Sequence, residues 1–355
     1  MKTIIAATGT ILPERVVGNA AFLDRNFMFE DGTPNPKPTA EVVAKLEQIT
    51  GIVERRYISE KGDSVPLMRD AALEAIKTWG KDKNQIDQII VAHNAGNMLE
   101  NSKGFHTVPN MAALLKNALQ IENHECNAYD ILFGCPGWLQ GIIQAHQAIQ
   151  MGDAKHVLVV GIEVASRLLD PHDLDGMILA DGCGATIVSG ADDAQGKGII
   201  SYATYSHAMD DLNYIFLDKS YNPDMDAPTL FKMSGKDVYK YATVWVPKVI
   251  KAALDKAQLT AADVDMFLFH QANGKMLHAF ANNLAQMYAQ EELSFEGKIP
   301  TTIQFTGNTS VATIPTMLDL VLKGKLAGYE IKPGQKVVLS SVGAGMHCNA
   351  MVYQF

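Results

Sequence analysis

The alternation of apolar strand-like runs with helical stretches is the feature that most constrains the fold of this chain. Short apolar runs bounded by turn residues indicate strands, and amphipathic stretches with helical spacing indicate helices. The clearest predicted strands read IIAATGTIL, QIIVAHN, NAYDILFG, HVLVVGIE, GATIVSG, MFLFHQA and KVVLSSV. The predicted helices read VPLMRDAALEAIKTW, VPNMAALLKNAL, GWLQGIIQAHQAIQM, GKDVYKYATVWVPKVIKAALDKA and NGKMLHAFANNLAQMY. This order predicts a layered α/β architecture.

The same pattern divides the chain into two nearly equal halves, residues 1–190 and 191–355, with no long linker between them. Each half places reactive residue types just after a strand, where open α/β folds locate their chemistry. The stretch Glu30–Thr39 is rich in Pro and Gly and predicts an exposed inserted loop.

Composition excludes several classes of protein. The chain has no apolar run near the ~18–20 residues of a membrane-spanning helix, and its first residues lack a secretory signal pattern, so we expect a cytoplasmic protein. The net charge of −9 argues against a nucleic-acid partner. The four cysteines form no CxxC pair, which argues against a disulfide framework or a zinc site. We therefore expect no metal and no cofactor.

The segment AYDILFGCPGW combines an apolar strand, a Gly-Cys-Pro-Gly turn and the start of a helix. Pro136 suits the first helical position. Cys135 would then lie at a helix N-terminus, where free amides and the helix dipole favour a thiolate. The alternative is that Cys135 is a small buried core residue, as free cysteines commonly are.

Two further segments end in polar side chains. MFLFHQAN places His270 after an apolar strand, where it could act as acid, base or hydrogen-bond donor near neutral pH. FTGNTSVATIP places Asn308 in a tight loop that enters a helix. Each signal is weak alone, because a histidine at a strand end is commonly structural and Gly-Asn is common turn chemistry.

Together, Cys135, the HQAN sequence at 270–273 and the GNTS sequence at 307–310 resemble the β-ketoacyl-acyl-carrier-protein synthase III family of the thiolase superfamily. The resemblance covers essentially the whole chain. Further motifs that fit it are TGI with two following arginines at 50–56, ADGCGA at 180–185 and SVGAG at 341–345. It implies the thiolase fold, five layers in the order αβαβα with two similar halves. The first half would carry the cysteine nucleophile and the second the histidine and asparagine.

The resemblance also implies a mechanism. Cys135 would take an acyl group from a thioester while the backbone amides of Cys135 and Ala344 hold the oxyanion. His270 and Asn308 would donate hydrogen bonds to the thioester oxygen of a malonyl or β-ketoacyl second substrate. The resulting carbanion would attack the acyl group in a Claisen-type condensation. The chain is therefore predicted to be a condensing acyltransferase.

Departures from the family pattern concern the acyl donor. Members that use acetyl-CoA carry an adenine-stacking tryptophan where this chain reads AKLEQ at 44–48. Ile49 replaces a usual basic residue, and PHDLD at 171–175 lacks an expected arginine. We therefore predict that acyl carrier protein, rather than coenzyme A, delivers both acyl groups.

An acidic carrier would need a basic landing surface on this acidic chain. Lys232, Lys236 and Lys240 recur every four residues, which predicts one shared helix face. Lys240 and Lys275 fall where the family docks its carrier, and we predict both as docking residues. The alternative is a solvated lysine face.

The resemblance implies a homodimer as well. The segment Phe105–Asn110 would reach the partner's acyl tunnel, and Val108 would be a small plug that admits a longer chain. The insertion at 30–39 resembles synthase III-like enzymes that form dialkylresorcinols, which suggests specialised lipid or polyketide-type biosynthesis. The alternatives are the housekeeping initiator of fatty-acid synthesis, O- or N-acyl transfer by a ketosynthase-like enzyme, and a catalytically silent subunit.

Overall fold

A computed structural model describes residues 1–99, 105–226, 229–290 and 292–355. The strands in these ranges are β1 (Lys2–Ile11), β2 (Arg15–Gly18), β3 (Glu54–Tyr57), β4 (Gln88–Ala92), β5 (Asn127–Ile131), β6 (His156–Val164), β7 (Asp181–Ala191), β8 (Gly198–Ser206), β9 (Ile215–Asp218), β10 (Leu230–Met233), β11 (Met266–Phe269), β12 (Lys336–Gly343) and β13 (His347–Gln354). The α-helices are α1 (Thr39–Thr50), α2 (Ser64–Trp79), α3 (Met111–Ala118), α4 (Gly137–Met151), α5 (Gly235–Lys256), α6 (Gly274–Met287), α7 (Ile303–Thr306) and α8 (Thr313–Leu322). Of these described helices, none combines the length and the apolar character that a bilayer crossing requires.

The strands build two main sheets. The first has the order β1-β7-β6-β4-β5, in which β4 runs parallel to both of its neighbours and β7 runs antiparallel to both of its own. The second has the order β11-β12-β13-β8, with only the β11–β12 pair parallel. Parallel pairs need crossover connections, and these crossovers supply the helical layers.

The helices form three layers around the two sheets. Apolar side chains of α4 and α8, such as Ile142 and Leu318, share one buried cluster with Val159 of the first sheet and Leu339 of the second. These helices therefore lie between the sheets. Helices α2 and α3 cover the outer face of the first sheet, and α5 and α6 cover the outer face of the second. This confirms the predicted five-layered αβαβα thiolase fold.

The two sheets draw on different parts of the chain. Strands of the first sheet lie within residues 2–191, and strands of the second lie within residues 198–354. The central layer takes α4 from the first part and α8 from the second, so the two parts share a core. The predicted division at residues 190 and 191 remains a prediction.

Lys232 does not lie where the four-residue lysine spacing predicted it. It is in β10, whereas α5, which carries the other two lysines, begins three residues later. Its side chain is fully buried, forms ion pairs with Asp170 and Asp173, and lies 3.4 Å from the centre of the Tyr221 ring. The predicted common face of three lysines is therefore wrong, and Lys232 is a structural cation.

Replacing Lys232 by alanine should destabilise the protein. The change leaves the two buried aspartates without their cation, and breaking a buried ion pair in this way costs about 3–5 kcal/mol. Urea unfolding of Lys232→Ala should show a loss of that size. Lys236→Ala, at an exposed position on α5, is the matched control and should change the free energy of unfolding by about 0.5 kcal/mol or less. Equal stability of both variants would contradict the structural role of Lys232.

Candidate active site

Cys135 lies on the loop that joins β5 to α4. The helix begins at Gly137, with Pro136 as its N-cap residue, so the predicted helix start is correct to within one residue. The loop touches the loop after β12. A Cβ atom on Gly134 would lie 2.7 Å from the backbone nitrogen of Ala344, and one on Gly343 would lie 2.5 Å from that of Cys135. Only glycines permit this close approach.

The backbone nitrogens of Cys135 and Ala344 therefore both lie at the contact between the two loops. His347 supports the arrangement from the side, because its ring stacks on Phe133 with 4.1 Å between the ring centres and lies directly over Gly345. Its Nδ1 atom pairs with the Ser206 hydroxyl at 2.8 Å. His347 therefore braces the two loops and is not one of the residues that line the cavity beside Cys135.

A cavity of about 240 Å³ opens beside the cysteine. Cys135, His270, Asn308 and Ala344 all line it, although they come from four separate stretches of the sequence. Its remaining wall is mostly apolar and includes Leu168, Leu179, Ile215, Phe216, Phe231, Met233 and Met276. The three predicted catalytic side chains thus face one apolar space of the kind that binds acyl chains.

His270 follows β11 and is held by its backbone, whose N–H donates to the Ser340 carbonyl at 2.9 Å. The side chain is buried, and Nδ1 has no hydrogen-bond partner among the described residues. Burial lowers the pKa of His270 to about 4. The imidazole is therefore neutral near pH 7, and a neutral ring can donate from one nitrogen only.

Asn308 is fixed at both its backbone and its side chain. Its N–H donates to the Ile178 carbonyl at 2.9 Å, and its carbonyl accepts from the Ala180 N–H at 2.8 Å. The side-chain oxygen accepts from the Ser310 N–H at 2.9 Å. Because the oxygen is occupied, the amide NH₂ group is left to donate into the cavity.

The Cys135 thiol contacts the Ser310 hydroxyl, with 3.2 Å between Sγ and Oγ. Burial raises the pKa of Cys135 to about 12, which outweighs the opposing effect of the hydrogen bond from Ser310. The group at rest is therefore a thiol. The predicted preference for a thiolate at the helix N-terminus does not prevail, because desolvation of the charge dominates.

Sequence reasoning missed the polar groups behind the thiol. Asn94 donates to the Ser310 hydroxyl at 2.9 Å and also to the carboxylate of Glu163. Glu163 is buried near the end of β6, directly after an apolar run over residues 157–162. A charged residue in such a run was the available signal, since glutamate is rarely buried without a partner or a function.

A second cavity of about 610 Å³ adjoins the first and reaches the surface. The two share the lining residues Ile178, Met233, Val238, Ala272 and Met276. The outer part is lined by Leu46, Ile49, Leu174 and Asp175, which belong to the stretches that depart from the family pattern. Burial, reinforced by the charge of Asp173, raises the pKa of Asp175 to about 7.

The remaining predicted positions lie on the surface. Lys240 lines the outer cavity, is exposed, and forms an ion pair with Asp237 at 2.9 Å. Lys275 is exposed near the start of α6. Val108 is 89% exposed and is not among the described residues that line either cavity. Its predicted role as a gate requires a partner subunit and remains a prediction.

Family models and a curated relative point to the same family for this chain. Residues 129–208 match the family described as 3-oxoacyl-[acyl-carrier-protein (ACP)] synthase III, and residues 254–355 match the C-terminal part of that synthase. The β-ketoacyl-[acyl-carrier-protein] synthase III of Staphylococcus haemolyticus (strain JCSC1435) is 32% identical over 357 aligned positions, which cover 100% of this chain and 99% of the relative.

Solved structures share the fold. The β-ketoacyl-[acyl carrier protein] synthase III of Thermus thermophilus superposes with a TM-score of 0.79 at 27% identity, covering 99% of this chain and 98% of that one. The priming β-ketosynthase of the R1128 polyketide biosynthetic pathway gives a TM-score of 0.79 at 22% identity, covering 99% of this chain and 96% of that one. The latter likeness concerns the fold alone.

Proposed function

Because this chain belongs to the 3-oxoacyl-[acyl-carrier-protein] synthase III family of condensing acyltransferases, we propose that Cys135 carries the acyl group and that His270 and Asn308 activate the second substrate. The observation that carries this assignment is that all three side chains line one apolar cavity. The backbone amides of Cys135 and Ala344 serve as the oxyanion hole. The second substrate is a malonyl or β-ketoacyl thioester.

The outer cavity supports a phosphopantetheine arm as the carrier of both acyl groups. An extended, mostly apolar channel that ends at a nucleophile suits a thioester at the tip of a long, flexible arm. The channel mouth offers Leu46, Ile49 and Leu174 and the carboxyl group of Asp175. Lys236 and Lys240 also line this mouth and can meet the phosphate of such an arm, whereas Leu46 and Ile49 stand in stretches where members that use coenzyme A carry a tryptophan and a basic residue. An acyl carrier protein is therefore the proposed donor.

Lys240 and Lys275 form the proposed docking site for this carrier. Charge reversal at either position should raise KM for carrier-borne donors about tenfold, because charges at the edge of an interface contribute mainly to encounter and orientation. Small acyl thioesters of N-acetylcysteamine do not use the docking surface, and their rates should stay unchanged. Lys256→Glu is the control, since it lies about 24 Å further along the same helix. Equal losses with both donor types would contradict a docking role.

A homodimer is proposed through the free edge of the first sheet. Strand β5 ends the strand order of that sheet, and the adjoining residues Phe105, Val108 and Leu132 expose apolar side chains. Pairing of two β5 edges would cover these side chains and bring Val108 to the acyl cavity of the partner. Light scattering on the purified protein tests the proposed mass of two chains.

Val108→Phe should shorten the acyl chain that the enzyme accepts. A larger side chain at the proposed gate would fill space that a long chain needs, so the rate with an eight-carbon donor should fall by about tenfold while a two-carbon donor remains accepted. Acylation rates across a chain-length series measure the effect. Val53→Phe, at another exposed valine, should leave the series unchanged. An unaltered series for Val108→Phe would remove Val108 from the acyl pocket.

The proposed pathway is specialised lipid or polyketide-type biosynthesis in the cytoplasm, with dialkylresorcinol formation as the specific reaction. The departures from the family pattern at the channel mouth support this specialised pathway. The second candidate is initiation of fatty-acid synthesis, which the names of the relatives favour. Intact-protein mass spectrometry with a panel of acyl-carrier and acyl-CoA donors separates the two. Adducts from medium-chain carrier thioesters alone support the specialised pathway, and rapid labelling by acetyl-CoA supports initiation.

A further inference from the structure

A thiol that is protonated at rest needs a base when it attacks a thioester. His270 is a poor base, because burial lowers its pKa to about 4. The thiol itself touches the Ser310 hydroxyl. Ser310 is therefore the first group that can receive the thiol proton.

We propose that Ser310 and Glu163 form the path that removes the proton from Cys135 as the thiol attacks the acyl donor. This inference rests on the proposed function, in which Cys135 is the nucleophile. Ser310 touches the reacting sulfur atom, and Glu163 acts through Ser310.

The hydrogen bonds connect Cys135 to Glu163 through Ser310. The NH₂ group of Asn94 donates one hydrogen to the Ser310 hydroxyl and the other to the Glu163 carboxylate. With that donor on its oxygen, the serine hydroxyl has its own hydrogen to give. Its available acceptors are the sulfur of Cys135, 3.2 Å away, and the carboxylate of Glu163, which the shared Asn94 amide holds beside it.

The backbone holds the serine in place for this role. Ser310 has φ of 51°, a left-handed conformation that is uncommon for residues other than glycine, and its N–H is held by the Asn308 side chain at 2.9 Å. Residues in such conformations concentrate at functional sites. Asn94 and Ser310 both line the cavity beside Cys135.

Glu163 has the electrostatic surroundings of a base near neutral pH. Burial raises its pKa to about 7, and hydrogen bonds from Asn94 and Ser310 and the nearby His93 limit the rise. The titratable groups that face Glu163 are His93, Asp181 and Cys135. The His93 ring is held in place by two hydrogen bonds, since Nδ1 accepts from the Gly96 N–H at 2.8 Å and Nε2 pairs with Asp130 at 2.9 Å.

The step balances without a further reagent. The S–H bond of Cys135 breaks, its proton passes to the Ser310 oxygen, and the former hydroxyl proton of Ser310 passes to Glu163. The sulfur forms its bond to the acyl carbon, and the bond from that carbon to the phosphopantetheine sulfur breaks. The departing thiolate recovers the proton from Glu163 through Ser310, so both residues return to their starting state.

The test compares the pH dependence of Cys135 acylation in the wild type, Glu163→Gln and Ser310→Ala. In the wild type, the rate should rise as pH increases through about 7, because the carboxylate form of Glu163 accepts the proton. Both variants should acylate about 100-fold more slowly and lose that inflection. The double variant should be no slower than either single one, since the two act in series.

Alkylation of Cys135 by iodoacetamide supplies a second readout that needs no acyl donor. Loss of its inflection near pH 7 in either variant would support the path even if no acyl donor were accepted, which separates this inference from the proposed function. Ser189→Ala, a buried serine that pairs with His156 instead, is the control and should keep the wild-type profile. Wild-type rates and an unchanged inflection in folded Glu163→Gln and Ser310→Ala would overturn the proposal.

Discussion

Cys135→Ala is expected to abolish the acyl adduct that the wild-type protein forms with its donor. The variant removes the only cysteine that lines the cavity shared by His270 and Asn308 among the described residues. No other group in that cavity is suited to hold an acyl group as a thioester. Intact-protein mass spectrometry after incubation with acyl-carrier donors should therefore show a mass increase for the wild type and none for the variant.

Cys126→Ala is the matched control, because Cys126 is buried at a site remote from the cavity and burial raises its pKa as well. This variant should acquire the adduct at the wild-type rate. An adduct of the same mass on folded Cys135→Ala protein would show that another residue is the nucleophile. Absence of an adduct from both wild type and variant with every donor would contradict the covalent mechanism itself.

The sequence predicted all five strands of the first sheet but only two of the four strands of the second. Each of the seven predicted strands corresponds to an observed one, because buried strands carry long apolar runs. Six described strands were not predicted. Strands β2, β3, β9 and β10 have only four residues each, whereas β8 and β13 are longer but mix polar with apolar residues. Helices α1 and α7 were not predicted either. The sequence predicted only the start of α8, as the helix that the loop at Asn308 enters. Helix α8 is buried on nearly all sides in the central layer, so it lacks the polar face that gives a helix its periodic signal.

The predicted common helix face of three lysines was wrong for a related reason. A repeat of four residues indicates a helix face only if a helix spans all of the positions. Lys232 lies before the helix, in β10, and its charge is neutralised by Asp170 and Asp173 from a distant part of the chain. Such a tertiary ion pair leaves no local pattern. The sequence therefore predicted a solvent-facing charge where the structure has a buried one.

Local and tertiary effects also compete at the nucleophile. The turn before α4 was predicted from local rules, and the structure confirms it. Those rules also favour a thiolate through the helix dipole. Burial depends on the contacts of the whole fold, and it raises the pKa of Cys135 to about 12. A position at a helix N-terminus therefore does not reveal the protonation state of a cysteine when its burial is unknown.

His270→Ala and Asn308→Ala are each expected to stop condensation while leaving acylation of Cys135 nearly intact. Both side chains would stabilise the enolate oxygen of the second substrate, and loss of one such donor typically lowers a rate by about 10²–10³-fold. The two steps can be separated by loading Cys135 with acyl groups, removing the donor and then adding malonyl- or β-ketoacyl-carrier. The acyl adduct should persist in both variants and disappear in the wild type.

The pH dependence adds a test of how His270 acts. Since burial lowers its pKa to about 4, the ring should remain neutral from pH 8 down to about pH 5 and change its protonation state only below that. Condensation by preloaded enzyme should therefore show no inflection near 6.5, the ordinary value for histidine. His146→Gln, at a half-buried histidine paired with Thr3, should behave as wild type. Rapid discharge of the adduct by His270→Ala, or an inflection near pH 6.5 that this variant lacks, would contradict a neutral hydrogen-bond donor.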